Sequence, residues 1–396
     1  AIGRNALSAE NSEGRNVAIG YEALKSQNAS SDAYNVAIGY QAGLSVSIGN
    51  QNTLIGGLAG DAITEGNNNV ALGYNSLAAN TTGTSNIAIG KDALELNTTS
   101  GGNVAVGDRA LEDMNPSNTG NWYNIGIGHH AGRDISTGNN NTVIGGLSGD
   151  ALTIGIRNVA VGTYTLSNDI EGSGNVAIGY ESLLTQQTTG NGSAQLTFNT
   201  AVGDSTGKAI TSGKHNTIVG GLAGDALTSG ESNVAIGYLA LSSEDTGHRS
   251  VAIGSFALFS QNNDSNNDNT AVGYNAGFAL TSGVQNTIVG GLAGDALTTG
   301  SLNTAMGYEA LSSEDTGGRN TAMGWRALKA LDYAGSAYNT AFGFSAGEAI
   351  STGIHNTIVG GLAGDALTSG QSNTVVGYSA LSAETTGSQN TAIGIE

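Results

Sequence analysis

One pentapeptide pattern governs this chain: asparagine, a β-branched residue or alanine, usually alanine, an aliphatic residue, and glycine, as in "NVAIG", "NTAVG" and "NTAMG". Its leading position falls at 16, 35, 52, 69, 86, 103, 124, 141, 158, 175, 199, 216, 233, 250, 269, 286, 303, 320, 339, 356, 373 and 390, and only Ser250 replaces asparagine. The spacing is 17 residues except at five places, where it is 19, 21, 24, 19 and 19. Insertions near 25–34, 112–123, 184–198, 259–268 and 329–338 explain every departure. A unit this short cannot bury an apolar face alone, so it must stack on its neighbours.

No run has the length of helical periodicity that a helix needs. Each unit instead reads as two strands of four or five residues joined by turns, about 17 residues in all. The expectation is an all-β fold, a parallel β-solenoid or β-roll with strands roughly 4.8 Å apart. About 22 coils then make a shaft on the order of 105 Å long. Residues 1–396 read as one such shaft, and because it opens and stops in mid-repeat it is expected to be a piece of a longer chain. Composition agrees: 63 glycines, one proline and 38% hydrophobic residues suit a narrow core lined by small side chains.

Numbering each coil from its leading asparagine makes further expectations explicit. Alternation puts positions two and four, such as Val17 and Ile19 or Thr304 and Met306, on one face, expected to be the dry interior. Position five is glycine from Gly3 to Gly394, which implies a positive φ or a backbone too close for a Cβ. The asparagines are expected to stack into a ladder that bridges turn backbones. The coil "NTIVGGLAGDALTSG" starts at Asn216, Asn286 and Asn356, with near-copies at Asn52 and Asn141. There a large aliphatic residue enters position three (Leu54, Val143, Ile218) while glycine replaces tyrosine at position six (Gly57, Gly146, Gly221), as if the two positions shared one space.

A net charge of −19 disfavours nucleic acid and anionic membrane surfaces as partners, because phosphates are bound by clustered lysine and arginine. The chain has no cysteine, hence no disulfide or thiolate chemistry. It has no apolar run long enough for a membrane-spanning helix, so no membrane insertion by this segment is expected.

The "NVAIGYEAL", "NTTG" and "NVAVG" stretches resemble repeats in bacteriophage tail fibres. They are also similar to the left-handed parallel β-roll heads of YadA-like trimeric autotransporter adhesins. The resemblance runs over essentially the whole chain, although the coils here are longer than those typical of the adhesin heads. It implies an elongated homotrimer, extracellular or on a virion surface, that reaches toward a glycan or protein receptor on a host.

Candidate chemistry is sparse. Asp61, Asp150, Asp225, Asp295 and Asp365 share the tenth position of the "GGL" coils, where a three-fold ring would hold Ca²⁺ or each would simply accept turn N–H bonds. His129 and His130 are adjacent, whereas a strand presents two ligands to one metal from i and i+2, so no zinc site is expected. The acidic pair Glu314 and Asp315 sits in a polar turn with no sign of the controlled separation that glycosidase work requires. No nucleophile elbow or phosphate loop occurs. No cofactor and no enzymatic activity are expected.

The insertions are the places for recognition, because loops that interrupt a stack project from it. Tyr34, Trp122, Tyr123, Phe198, Tyr333 and Tyr338 lie in or beside them. Aromatic faces next to asparagine, serine and aspartate suit sugar stacking, unless the rings turn inward to plug the bulged coil. The expected function is a non-catalytic fibre shaft contributing to host or surface attachment. The rivals are a bacterial cell-surface adhesin or matrix filament, and a glycan depolymerase tail spike.

Overall fold

The computed structural model describes residues 1–11, 14–116, 119–188, 190 and 192–395. They form a parallel β-solenoid of about 22 turns, one per 17-residue repeat, with no helix among the described residues. Contacts divide the chain into two compact units, Ala1–Asn199 and Thr200–Glu396. Within each unit consecutive strands pair in parallel and in register: Val36, Ala37 and Ile38 face Thr53, Leu54 and Ile55, and Thr304, Ala305 and Met306 face Thr321, Ala322 and Met323.

Most coils contain a single strand of three residues rather than the two longer strands expected, and turns fill the rest. The turn still bonds to both neighbouring coils. Positions seven and nine take left-handed backbone, as at Glu22 (φ 56°) and Leu24 (φ 49°). Their N–H groups point in opposite directions along the stack. The Glu22 N–H therefore donates to Arg4 in the coil before (2.9 Å), and the Leu24 N–H to Ala42 in the coil after (3.1 Å). Left-handed leucine is costly in isolation, and its full burial is what offsets that cost.

Position five meets both conditions inferred for it. Gly39 has φ +144°, and a Cβ there would strike the carbonyl oxygen of Gly56 in the next coil.

The strand faces are the reverse of the expectation. Ala18, Ala37 and Ala88 at position three are fully buried, whereas Val17 and Ile19 at positions two and four are exposed. The reason lies in the turn. Alanine at eight, leucine at nine and the residue at twelve, such as Ala93, Leu94 and Asn97, already fill the interior. Only a methyl group fits opposite them.

The supposed exchange between positions three and six is corrected accordingly, since those positions lie on opposite sides of the wall. Leu54 at position three instead fills space vacated at position nine: a Cβ on Gly43 would sit 2.8 Å from Leu54 Cδ1, and one on Gly60 2.9 Å from Leu54 Cδ2. Gly57 at position six lies outside, with its missing Cβ 3.5 Å from the Tyr74 ring of the next coil.

The asparagine ladder is present in both units. Asn52 donates its backbone N–H to Asn35 Oδ1 (2.8 Å), while its own side-chain amide donates to Gly66 of the same coil (2.9 Å). The bond persists across insertions: Asn124 N–H reaches Asn103 Oδ1 at 3.1 Å, and Asn199 N–H reaches Asn175 Oδ1 at 3.0 Å. At the break, Gln261 bridges, donating to Ser250 Oγ (2.7 Å) and accepting from Asn269 (2.9 Å). The two longest insertions return to register through short added pairs, Ser100–Gly101 with Gly120–Asn121 and Gly172–Ser173 with Gln195–Leu196.

Candidate functional site

Because alanine points inward, each strand presents its larger side chains to the outside. In the first unit the rows carry Val17, Ile19, Leu72, Ile87 and Ile127, all exposed, with tyrosines at position six beside them. Tyr21 and Tyr40 stack with ring centres 5.5 Å apart. In the second unit position two is threonine in eight consecutive strands from Thr270 to Thr391. Beside it Met306, Met323, Phe342 and Phe344 line a shallow apolar hollow of about 390 Å³. Trp325 stacks on Phe344 at 4.7 Å, and the Arg326 guanidinium lies 4.2 Å from the Trp325 ring. Outward apolar rows along a sheet, exposed at some steps and half-buried at others, are a surface suited to contact.

The residue just before each leading asparagine forms a second feature. It is left-handed in coil after coil, and four of the six aromatic candidates occupy it: Tyr34, Tyr123, Phe198 and Tyr338. They are not turned inward; their exposures are 49%, 58%, 48% and 51%. Each ring lies along the edge of the preceding coil, whose corner residue suits it. Arg15 and Arg319 sit over Tyr34 and Tyr338 at 5.8 and 5.6 Å, and Gly102 and Gly174 leave room beside Tyr123 and Phe198. Arg15 also donates to the Tyr34 hydroxyl at 3.2 Å, and His355 stacks on Tyr338 at 5.7 Å. At the fourth insertion-bearing corner Arg249 pairs with Asp268 instead, at 3.0 Å. Trp122 and Tyr333 are only partly exposed, and Tyr333 lies against Gly335.

The five aspartates are not brought together within either unit. Asp225, Asp295 and Asp365 stand four coils apart, roughly 19 Å at strand spacing, and Asp61 and Asp150 five coils apart, roughly 24 Å. Burial is the first cause that raises each carboxyl, and its own backbone N–H opposes the rise. Oδ1 of Asp225, Asp295 and Asp365 is buried with no hydrogen-bond partner.

Position twelve carries a series of buried acids, and Glu314, expected in a polar turn, is one of them. Asp169, Glu244 and Glu314 each accept or face the N–H three residues ahead. Asp169 and Glu244 also receive an amide from the next coil, from Gln186 (2.7 Å) and Gln261 (3.0 Å). The coil after Glu314 offers Leu331 at that position. Glu314 is left with the N–H groups of Gly317 (2.6 Å) and Tyr333 (3.3 Å), and burial pushes its carboxyl up to about 7.

Groupings of metal-type ligands among the described residues are Asp108–His129–His130, Asp92–Glu95–Glu112 and Glu314–Asp315–Asp332. The first overturns the geometric premise used for the histidine pair. These residues lie in the turn, not on a strand, and His130 is left-handed (φ 56°), so the two rings stack on one side at 3.9 Å. Burial, then the charges of His129, Arg133 and Arg109, hold the His130 imidazole below its usual range.

No helix among the described residues is long and apolar enough to cross a membrane. No family model matches this chain, and no curated protein matches it.

Proposed function

We propose that this chain is a non-catalytic structural fibre shaft of the phage tail-fibre type. It works outside the cell or on a virion surface and contributes to host or surface attachment. The observation that carries the reading is the outward sheet face, where valine, isoleucine, methionine and phenylalanine stand exposed in rows. Three copies that turn these faces toward one another bury the rows, and the thin alanine and leucine interior gains a second apolar layer. The molar mass in solution tests it. Sedimentation should give the mass of three chains, and a stable monomer at micromolar concentration would remove the assembly.

The corner aromatics are the receptor-facing part of the proposal. Tyr34, Tyr123, Phe198 and Tyr338 offer half-exposed rings flanked by arginine, histidine or open glycine backbone, a suitable floor for a sugar ring. A glycan array should lose its signal when all four are replaced by glutamine, which already serves at the equivalent corners Gln51 and Gln285. An unchanged array would assign recognition to another part of the fibre and leave the shaft role intact.

A further inference from the structure

The coil that begins at Asn124 departs from its equivalents at two adjacent places. Position six, tyrosine in many coils, is His129, and position seven is His130. In the coil before, position six is Asp108. Asp108 Oδ2 lies 3.7 Å from His129 Nε2 and 3.9 Å from His130 Nε2. In the coil after, position six is Gly146, and a Cβ placed there would meet nothing within 4 Å. The three groups thus converge on one side and face open space on the other.

We infer that Asp108, His129 and His130 bind a divalent transition-metal ion of the Zn²⁺ and Co²⁺ class. Two imidazoles and one carboxylate are the donor set of borderline metals, whereas Ca²⁺ and Mg²⁺ require all-oxygen ligation. A tetrahedral ion with bonds of about 2.0–2.1 Å sets its ligand atoms roughly 3.4 Å apart. The two carboxylate–imidazole separations need to close by only a few tenths of an ångström, and the stacked rings must tilt so that both nitrogens, within 4.8 Å of one another, turn to the ion. His129 has the freedom to do this, its side chain being 60% exposed. The space over Gly146 admits the water or outside ligand that completes the coordination. Of the nearby cations, Arg133 pairs with Asp134 at 2.5 Å and holds Nη1 3.4 Å from His130 Nδ1, the ring nitrogen turned away from the proposed ion, and Arg109 lies 3.8 Å from both Asp92 and Glu112. Nor does the packing demand histidine here, because the equivalent coil at Asn269 carries Tyr274 and Asn275 in the same two places.

That equivalence supplies variants compatible with the fold. Chelator-stripped full chain is titrated with ZnCl₂ by calorimetry and with CoCl₂ by visible absorption. The unmodified chain should take up one ion and develop the intense d–d bands of low-coordinate Co²⁺. The H129Y/H130N chain, with thermal melting to verify its coils, should bind at least about tenfold more weakly and lose the bands. D108S, which copies Ser255 of the coil at Ser250, should weaken binding while leaving the melt unchanged. Absence of saturable binding at millimolar Zn²⁺ overturns the site. So does binding that H129Y/H130N leaves intact, or binding that Ca²⁺ displaces as readily as Co²⁺.

Discussion

The outward faces of the two units differ at one strand position. In residues 1–199, position two is valine or isoleucine in eight of ten coils, with threonine at Thr53 and Thr142. In residues 200–396 it is threonine in ten of twelve, with valine at Val234 and Val251. Position three, pointing inward, is a small or aliphatic residue throughout. Valine and threonine share a branched shape and a preference for strands, so the exchange leaves the backbone alone and alters only the chemistry presented outside. The interior therefore has one solution in both units, and the exterior has two.

That comparison breaks most severely at the interior. Ala88→Asp and Ala322→Asp, one in each unit, should each cost upwards of about 4 kcal/mol by burying an unpaired charge. Circular dichroism melts would show the loss, and tolerance of either variant would mean that the interior rule does not hold across the units.

The buried acids sharpen the contrast next. Glu314 has a folded-state pKa of about 7 against an ordinary 4.5, so the folded state holds its proton more tightly than the unfolded chain does. Its contribution to stability is then lost as pH rises from about 4.5 to about 7, and is constant outside that window. Glu314→Gln should raise stability by about 3 kcal/mol at pH 8 and by almost nothing at pH 4, measured by urea unfolding. Leu331→Gln, restoring the amide that Asp169 and Glu244 receive, should flatten the same pH dependence. A profile that is already flat in the unmodified chain would contradict the burial argument.

Smaller effects belong to the outside. Ile19→Lys and Ile89→Lys should leave the melt within about 0.5 kcal/mol while dissociating the proposed assembly, read as a fall in sedimenting mass. Val289→Lys in the threonine-lined unit should do the same more weakly. Smallest of all, Thr321→Val should shift stability by less than about 0.5 kcal/mol, since the hydroxyl is at the surface.

The period, the position-five glycine and the asparagine ladder were legible in the sequence because identity at fixed spacing survives without knowledge of the fold. Which side of the strand faces inward was not. Alanine between two larger apolar residues reads as the outer member of an alternating strand, and only the leucines of the turn, held left-handed, reveal that the interior is already full. The closeness of the two histidine rings was hidden for a related reason. Adjacent residues diverge on a strand, but a left-handed His130 returns its ring to the side of His129. The corner position was hidden as well, since tyrosine, phenylalanine, arginine, glutamine and glycine share nothing there except backbone conformation.

Asn103 and Asn124, or Asn175 and Asn199, make the same bond as asparagines 17 residues apart. Register is thus transmitted hand to hand by a side-chain amide and does not depend on how much chain runs between. Length can be added to a loop at any rung without disturbing the rungs above it, so the variable parts of such a molecule can diversify while its spine stays fixed.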